Sequence, residues 1–207
     1  MENRVIVTIG RQMGSGGYAV GNKLAELLGV SFYDRELLAI AAKESGLNKT
    51  FFERADERTT HGLSSVFAVG LPYTGMFTSY TDILSNDGLF KMQSDAIRHL
   101  AQKESCVLIG RCADYILRDM PNVLSIFISS PMKECIQNVV NRTGISEEQA
   151  AELITKTNKA RAAYYNYYTN KRWGEAASYD LSIDSSYLGI DETASLINHV
   201  LKKKFNR

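Results

Sequence analysis

Short β-branched runs alternate along the chain with longer stretches in which apolar residues recur every three or four positions, the pattern of strands joined by crossover helices. Five runs, 5–9, 31–33, 106–109, 124–128 and 180–183, read as strands, each short enough to be buried on both faces of a parallel sheet. The helical period predicts helices over 17–28, 35–45, 87–103, 132–142, 147–168 and 190–204. In the first of these Val20, Leu24, Leu27 and Leu28 share a face and Gly29 supplies a stop. The fifth opens on the capping pattern Ser146-Glu147-Glu148-Gln149, and the last turns Leu196, Ile197 and Val200 inward. This order predicts an α/β fold: a three-layer α/β/α domain spanning 1–207, with a five-stranded parallel sheet and right-handed crossovers. Only 58–86 lacks a clean period. A loop that long inside a compact domain is usually functional, so it reads as a substrate-side insertion.

Composition narrows the function. The 24 Lys+Arg residues nearly cancel the 23 Asp+Glu, which removes any global drive toward nucleic acid or an anionic membrane, so anion binding must come from a local cluster. Cys106, Cys112 and Cys135 form no C-x-x-C pair, which argues against a disulfide framework or a zinc site. His61, His99 and His199 have no acidic or cysteine partners at ligand spacing. No apolar run reaches the ~18 residues of a membrane span. The first residues carry no basic, apolar and cleavable leader, so a cytoplasmic location is expected.

The chemistry starts after the first strand, at Gly10-Arg11-Gln12-Met13-Gly14-Ser15-Gly16-Gly17-Tyr18. Strand, glycine loop, helix is the order that turns several backbone N–H groups and a helix N-terminus toward one phosphate. The usual G-x-x-x-x-G-K-[ST] signature is broken here, because Gly17 and Tyr18 stand where Lys and Ser/Thr are expected. Without them the β/γ-phosphates lose a point charge, and Mg²⁺ loses its hydroxyl ligand unless Ser15 or a water substitutes. Arg11 is the nearest replacement cation. Gly14-Ser15-Gly16-Gly17-Tyr18-Ala19 also matches G-x-G-x-x-A, with Asp34 twenty residues beyond Gly14 as in a dinucleotide fingerprint. The four residues Gly10 to Met13 between strand and fingerprint favour the phosphate cradle, and both readings stand beside a purely structural turn.

Further along, Gly110-Arg111 follows the third strand, at the carboxyl edge where open α/β sheets place ligands. The planar fork of Arg111 suits a phosphate, and Asp114 can orient it. Asp34 either caps the helix after the second strand or holds a hydroxyl or a metal-bound water, with Arg35 beside it.

The runs GRQMGSGGYAVGNKLAELLG, SFYDRELL, VLIGRCADYIL and YDLSIDSSYLGID resemble the cytidylate kinase-like family of bacterial P-loop proteins, over nearly the whole chain. Many members of that family also lack the loop lysine. The resemblance implies ATP or another nucleoside triphosphate as donor, Mg²⁺, and a small nucleotide or phosphate acceptor. It places Asp34 on the acceptor side and makes Arg98 a substrate-side arginine. It also implies a lid over about 132–172, in which Arg142 and Arg161 close on the transferring phosphoryl group. True cytidylate kinases carry an acidic residue one turn before the second lid arginine; Asn158 stands there instead.

The expected function is therefore a nucleotide kinase in which Gly14, Ser15, Gly16, Gly17 and Tyr18 hold the donor phosphates. Asp34, Arg35, Arg98, Arg111 and Asp114 would serve the acceptor, and Arg11, Arg142 and Arg161 the catalysis. A nucleotide-binding regulatory protein with little or no transfer activity is the alternative that the missing lysine motivates.

Overall fold

The computed structural model describes residues 4–34 and 86–205. Arg35, the helix expected at 35–45 and all but the last residue of the segment 58–86 lie outside the described residues. Five strands form one parallel sheet: β1 (Ile6–Arg11), β2 (Ser31–Tyr33), β3 (Cys106–Ile109), β4 (Val123–Ser129) and β5 (Leu181–Asp184), in the order β2-β3-β1-β4-β5. Between them run α1 (Gly17–Leu28), α2 (Asn86–Lys103), α3 (Ala113–Ile116), α4 (Met132–Thr143) and α5 (Glu147–Thr169), and after β5 comes α6 (Gly189–Lys204).

Alternation along β1 and β3 divides the core in two. Val7, Ile9, Val107 and Ile109 point to one face, where Val20, Leu24 and Ala25 of α1 and Ala194, Ile197 and Leu201 of α6 cover them. Ile6 and Leu108 point to the other, against Ile97, Leu100 and Ala101 of α2 and Ala113 and Ile116 of α3. The result is the expected three-layer α/β/α stack. Among the described residues no helix is long and apolar enough to cross a membrane.

The ends of the helices follow the local chemistry. Gly29 takes a left-handed conformation (φ 63°) and its N–H returns to carbonyls of the last turn, closing α1. Ser146 and Gln149 form the reciprocal capping box at the start of α5. α4 and α5 then pack on each other through Cys135, Val139, Ala150 and Ile154, with Met13 of the glycine loop against the same cluster.

Strand β1 runs two residues beyond the predicted end. Gly10 and Arg11 pair with Phe127 and Ile128 of β4, so neither belongs to the loop to which the sequence assigned them. Gly10 reads as loop because of its type, yet glycine is what the strand needs there. A Cβ would lie 3.0 Å from the Phe127 ring and 3.3 Å from that of Tyr179. At the opposite edge β2 has three residues and pairs only with β3. Ser31 and Tyr33 both donate their hydroxyls to the Glu104 carboxylate at 2.7 Å, which holds that carboxyl below its usual range.

Replacing the cap, Ser146→Ala, should cost about 1 kcal/mol in urea unfolding without altering ligand affinity, because α5 loses an acceptor for its first-turn amides.

Candidate active site

Every strand of a parallel sheet delivers its carboxyl end to the same edge. Here that edge gathers Arg11 from β1, Asp34 after β2, Gly110 and Arg111 after β3, Ser129 and Ser130 from β4, and Asp184 and Ser185 from β5. The glycine loop bends across it into α1.

That bend is fixed by side chains that converge on its backbone. The Gln12 amide donates to Ile128 O at 3.0 Å, while its side-chain Oε1 accepts from the Ser130 amide at 3.1 Å. Asn138 of α4 donates to Gly14 O at 2.9 Å, and Ser185 donates to Ser15 O at 2.6 Å. Gly14 has φ 82° and lies so near the Cys135 backbone that a Cβ would meet its carbonyl oxygen at 2.5 Å, so only glycine fits. Among the described residues, the amides of Gly14, Gly16 and Gly17 donate to no acceptor in the chain. They sit at the N-terminus of α1, where the helix dipole adds positive potential.

Arginines surround this cradle. Arg161 of α5 donates through Nη1 to the Arg11 carbonyl at 3.0 Å, fixing α5 to the end of β1. Burial, and then the like charges of Arg161 and Arg111, pull the Arg11 pKa down from 12.5 to about 9, with Asp34 opposing them. Burial, Arg111 and Arg142 likewise lower Arg161 to about 10. Three strands and two helices thus bring the charges of Arg161, Arg111 and Asp34 to bear on Arg11, and those of Arg111 and Arg142 on Arg161. Asp34 offsets part of this positive potential, and an entering anion would offset more.

The turn that carries Arg111 is unusual. Gly110, Arg111 and Cys112 are all left-handed, with φ of 73°, 58° and 56°. Two consecutive non-glycine residues in that region cost about 1–3 kcal/mol each, strain that persists only where surrounding contacts enforce it. Asp114 follows in α3 and accepts a 2.7 Å hydrogen bond from Tyr165 of α5. Tyr165 stacks over Tyr179, which packs on Phe127, so the tyrosine-rich end of α5 serves packing here. Exposed Arg98 pairs with Asp95 one turn back on α2 at 3.6 Å, and its described contacts do not tie it to the cluster.

Some of the machinery escaped sequence reasoning. Asn158, noted only as a departure from an acidic position, accepts from the Met13 amide at 2.9 Å and so ties α5 to the loop. Asn138, Ser185 and Gln12 gave no signal, because a lone amide or hydroxyl on a helix or strand end has no spacing that marks it. Tyr18 is 52% exposed and edge-on to Phe32 at 5.2 Å. Buried Ser15 donates its hydroxyl to Gln12 O at 3.0 Å instead of presenting it to the edge.

The sheet order also separates the two phosphate-loop readings. A dinucleotide fold sets β2 beside β1, so that an acidic residue after β2 reaches a ribose bound at the first loop. Here β3 stands between them. An order of β2-β3-β1-β4-β5, with a glycine loop between β1 and α1 and arginines over it, defines a P-loop kinase fold. The chain belongs to the cytidylate kinase-like family, whose model matches residues 6–187.

Among curated relatives, cytidylate kinase of Methanopyrus kandleri is 24% identical over 98% of this chain and 96% of its own length. Cytidylate kinase of Methanosarcina barkeri is 29% identical over 40% of this chain, a match that spans 46% of that relative. Among solved structures, an uncharacterized protein from Eubacterium ventriosum superposes with a TM-score of 0.70 at 29% identity, covering 96% of this chain and 99% of that one. Shikimate kinase from Bacteroides thetaiotaomicron (TM-score 0.53, 12% identity, 96% and 98% covered) shares the fold. So does a gluconokinase from Sinorhizobium meliloti (TM-score 0.53, 13% identity, 100% and 98% covered).

Burial raises the Asp114 carboxyl above 3.8, against the lowering effect of Tyr165 and of the Lys171 charge. A carboxyl raised in the fold supplies stability that is present below 3.8 and lost as pH climbs through its folded value. Asp114→Asn removes this dependence, so the melting temperature of the variant relative to the parent should rise as pH increases from 3.8. A constant difference across that range would contradict the assignment.

Proposed function

We propose that the chain transfers the γ-phosphoryl group of ATP to a nucleoside monophosphate, cytidylate-like, or to a similar small phosphate acceptor. The observation that carries this reading is the convergence of Arg11, Arg111 and Arg161 beside unspent loop amides, a concentration of positive charge that matches a phosphoryl group in flight. In-line transfer asks little covalent chemistry of a protein; it asks for positioning and for charge stabilisation away from water.

The amides of Gly14 to Gly17, with Tyr18 beside them, hold the donor phosphates in this scheme. Arg111 binds the acceptor phosphate through its fork, with Asp34 at an acceptor hydroxyl, and Arg35, Arg98 and Asp114 complete the acceptor side. Arg11, Arg142 and Arg161 carry the charge that develops as the bond from the γ-phosphorus to the β-phosphate oxygen breaks and the bond to the acceptor oxygen forms, releasing ADP. The pair α4–α5 acts as the lid, held to the loop through Asn158 and Arg161. The described residues do not fit a protein-held Mg²⁺. The usual hydroxyl position is Tyr18, Ser15 is turned to Gln12, and no cluster of three acidic, histidine or cysteine residues exists among them. The cation is therefore assigned to the incoming nucleotide, and no step is routed through it.

The lysine-free loop favours one competing reading, nucleotide binding without transfer, since losing one preorganised donor commonly costs 10²–10³ in rate. A coupled ADP-release assay with ATP across a panel of nucleoside monophosphates and small metabolites tests the two. Release that depends on the acceptor supports the kinase; ATP binding with no release against any acceptor supports the binding protein. A melting temperature raised by NADH and by no nucleoside triphosphate would defeat both. Arg111→Ala should weaken acceptor binding by roughly 10- to 100-fold, the loss of one bidentate charge-assisted contact, while ATP binding is retained. Equal loss of both would move Arg111 to the donor side.

A further inference from the structure

We infer that Arg11 and Gly17 are an exchanged pair: the cation of the phosphate loop has moved from the start of α1 to the end of β1, and position 17 is glycine so that it can pass. This rests on the donor-binding reading above and names the residue that serves it. Setting the last glycine of G-x-x-x-x-G-K-[ST] on Gly16 puts the first glycine on Arg11 and the lysine on Gly17. The position that is ordinarily bare carries the charge, and the position that ordinarily carries the charge is bare.

The geometry makes the two substitutions one. A Cβ on Gly17 would stand 2.6 Å from the Arg11 Cβ and 3.1 Å from its Cγ, with Ile128 Cβ behind it at 3.4 Å. These are root atoms of the Arg11 side chain and cannot swing aside, because β1 is held in its ladder at Arg11 and Ile128. With any side chain at 11, residue 17 must therefore be glycine; with glycine at 11, a side chain at 17 has room.

The far end of Arg11 passes a second glycine. Its Nη1 lies 2.5 Å from where a Gly110 Cβ would be, so the side chain crosses from Gly17 over the end of β1 to the end of β3. The guanidinium is thereby delivered to the seam between the glycine loop and Arg111, where donor and acceptor meet. It brings a planar fork of donors in place of a point charge, suited to two oxygens of one phosphate.

Four variants test this, read by thermal melting and by titration with ATP. Arg11→Ala should fold and lose roughly 10- to 100-fold in ATP affinity, one charge-assisted contact. Gly17→Lys alone should melt well below the parent. Because the clash lies at Cβ, Arg11→Ala/Gly17→Lys should remain destabilised. Arg11→Gly/Gly17→Lys, which rebuilds glycine at the first position and lysine at the seventh, should recover both melting and most of the ATP affinity. Gly17→Lys melting like the parent, or a well-folded Arg11→Gly/Gly17→Lys that binds ATP no better than Arg11→Ala, overturns the exchange while the donor reading survives. A parent chain that binds no nucleoside triphosphate overturns the donor reading itself, and with it the role of Arg11.

Discussion

Like charges gathered in excess of their counter-ions need a scaffold to hold them, and much of this molecule's upper edge serves that need. Arg11, Arg111, Arg142 and Arg161 come from a strand end, a strained turn and two helices, and three of them are positioned by something other than the charges they repel. Arg161 is tied to the Arg11 carbonyl, Arg11 lies in a channel cut by glycines, and Arg111 sits in a run of left-handed residues next to α3. The hydrophobic layers beneath supply the free energy that such an arrangement costs. Binding an anion returns part of it, which is how a preorganised site concentrates its affinity on a ligand of one charge.

The glycine loop shows the complementary economy. Its side of the crevice offers amides, and those amides stay available because the carbonyls on the same bend are occupied by Asn138 and Ser185. Had the carbonyls been left to turn inward, they would have put negative partial charge beside the amides. Asn158 does the converse: as an acceptor on the Met13 amide it marks where the cradle ends. An acidic residue in its place would set a full negative charge beside the glycine loop, whereas the amide gives the same hydrogen bond without one.

Much of the fold was legible because burial imposes period. The five strand cores, the glycine stop of α1 and the capping box of α5 all lie where hydrophobic spacing and terminal chemistry put them. The end of β1 was misread because Gly10 carries a loop signature while its reason for being glycine is an aromatic packed across the ladder, which no local pattern reveals. Short α3 has too few residues to show a period. For the site, strand ends and arginines next to glycines were readable, since an α/β sheet sends them to one edge. Polar side chains that fold back on the loop were not, because their partners are more than 100 positions away in the chain.

Edge strand β2 carries a wider implication. It is three residues long, has one neighbour, and is moored by two hydroxyls to the single carboxylate of Glu104 at the foot of the sheet. Asp34, the first residue beyond it, therefore follows a strand anchored at the start of β3. The strand works as a short lever, so an alteration at Glu104 would be transmitted along it to Asp34 at the upper edge.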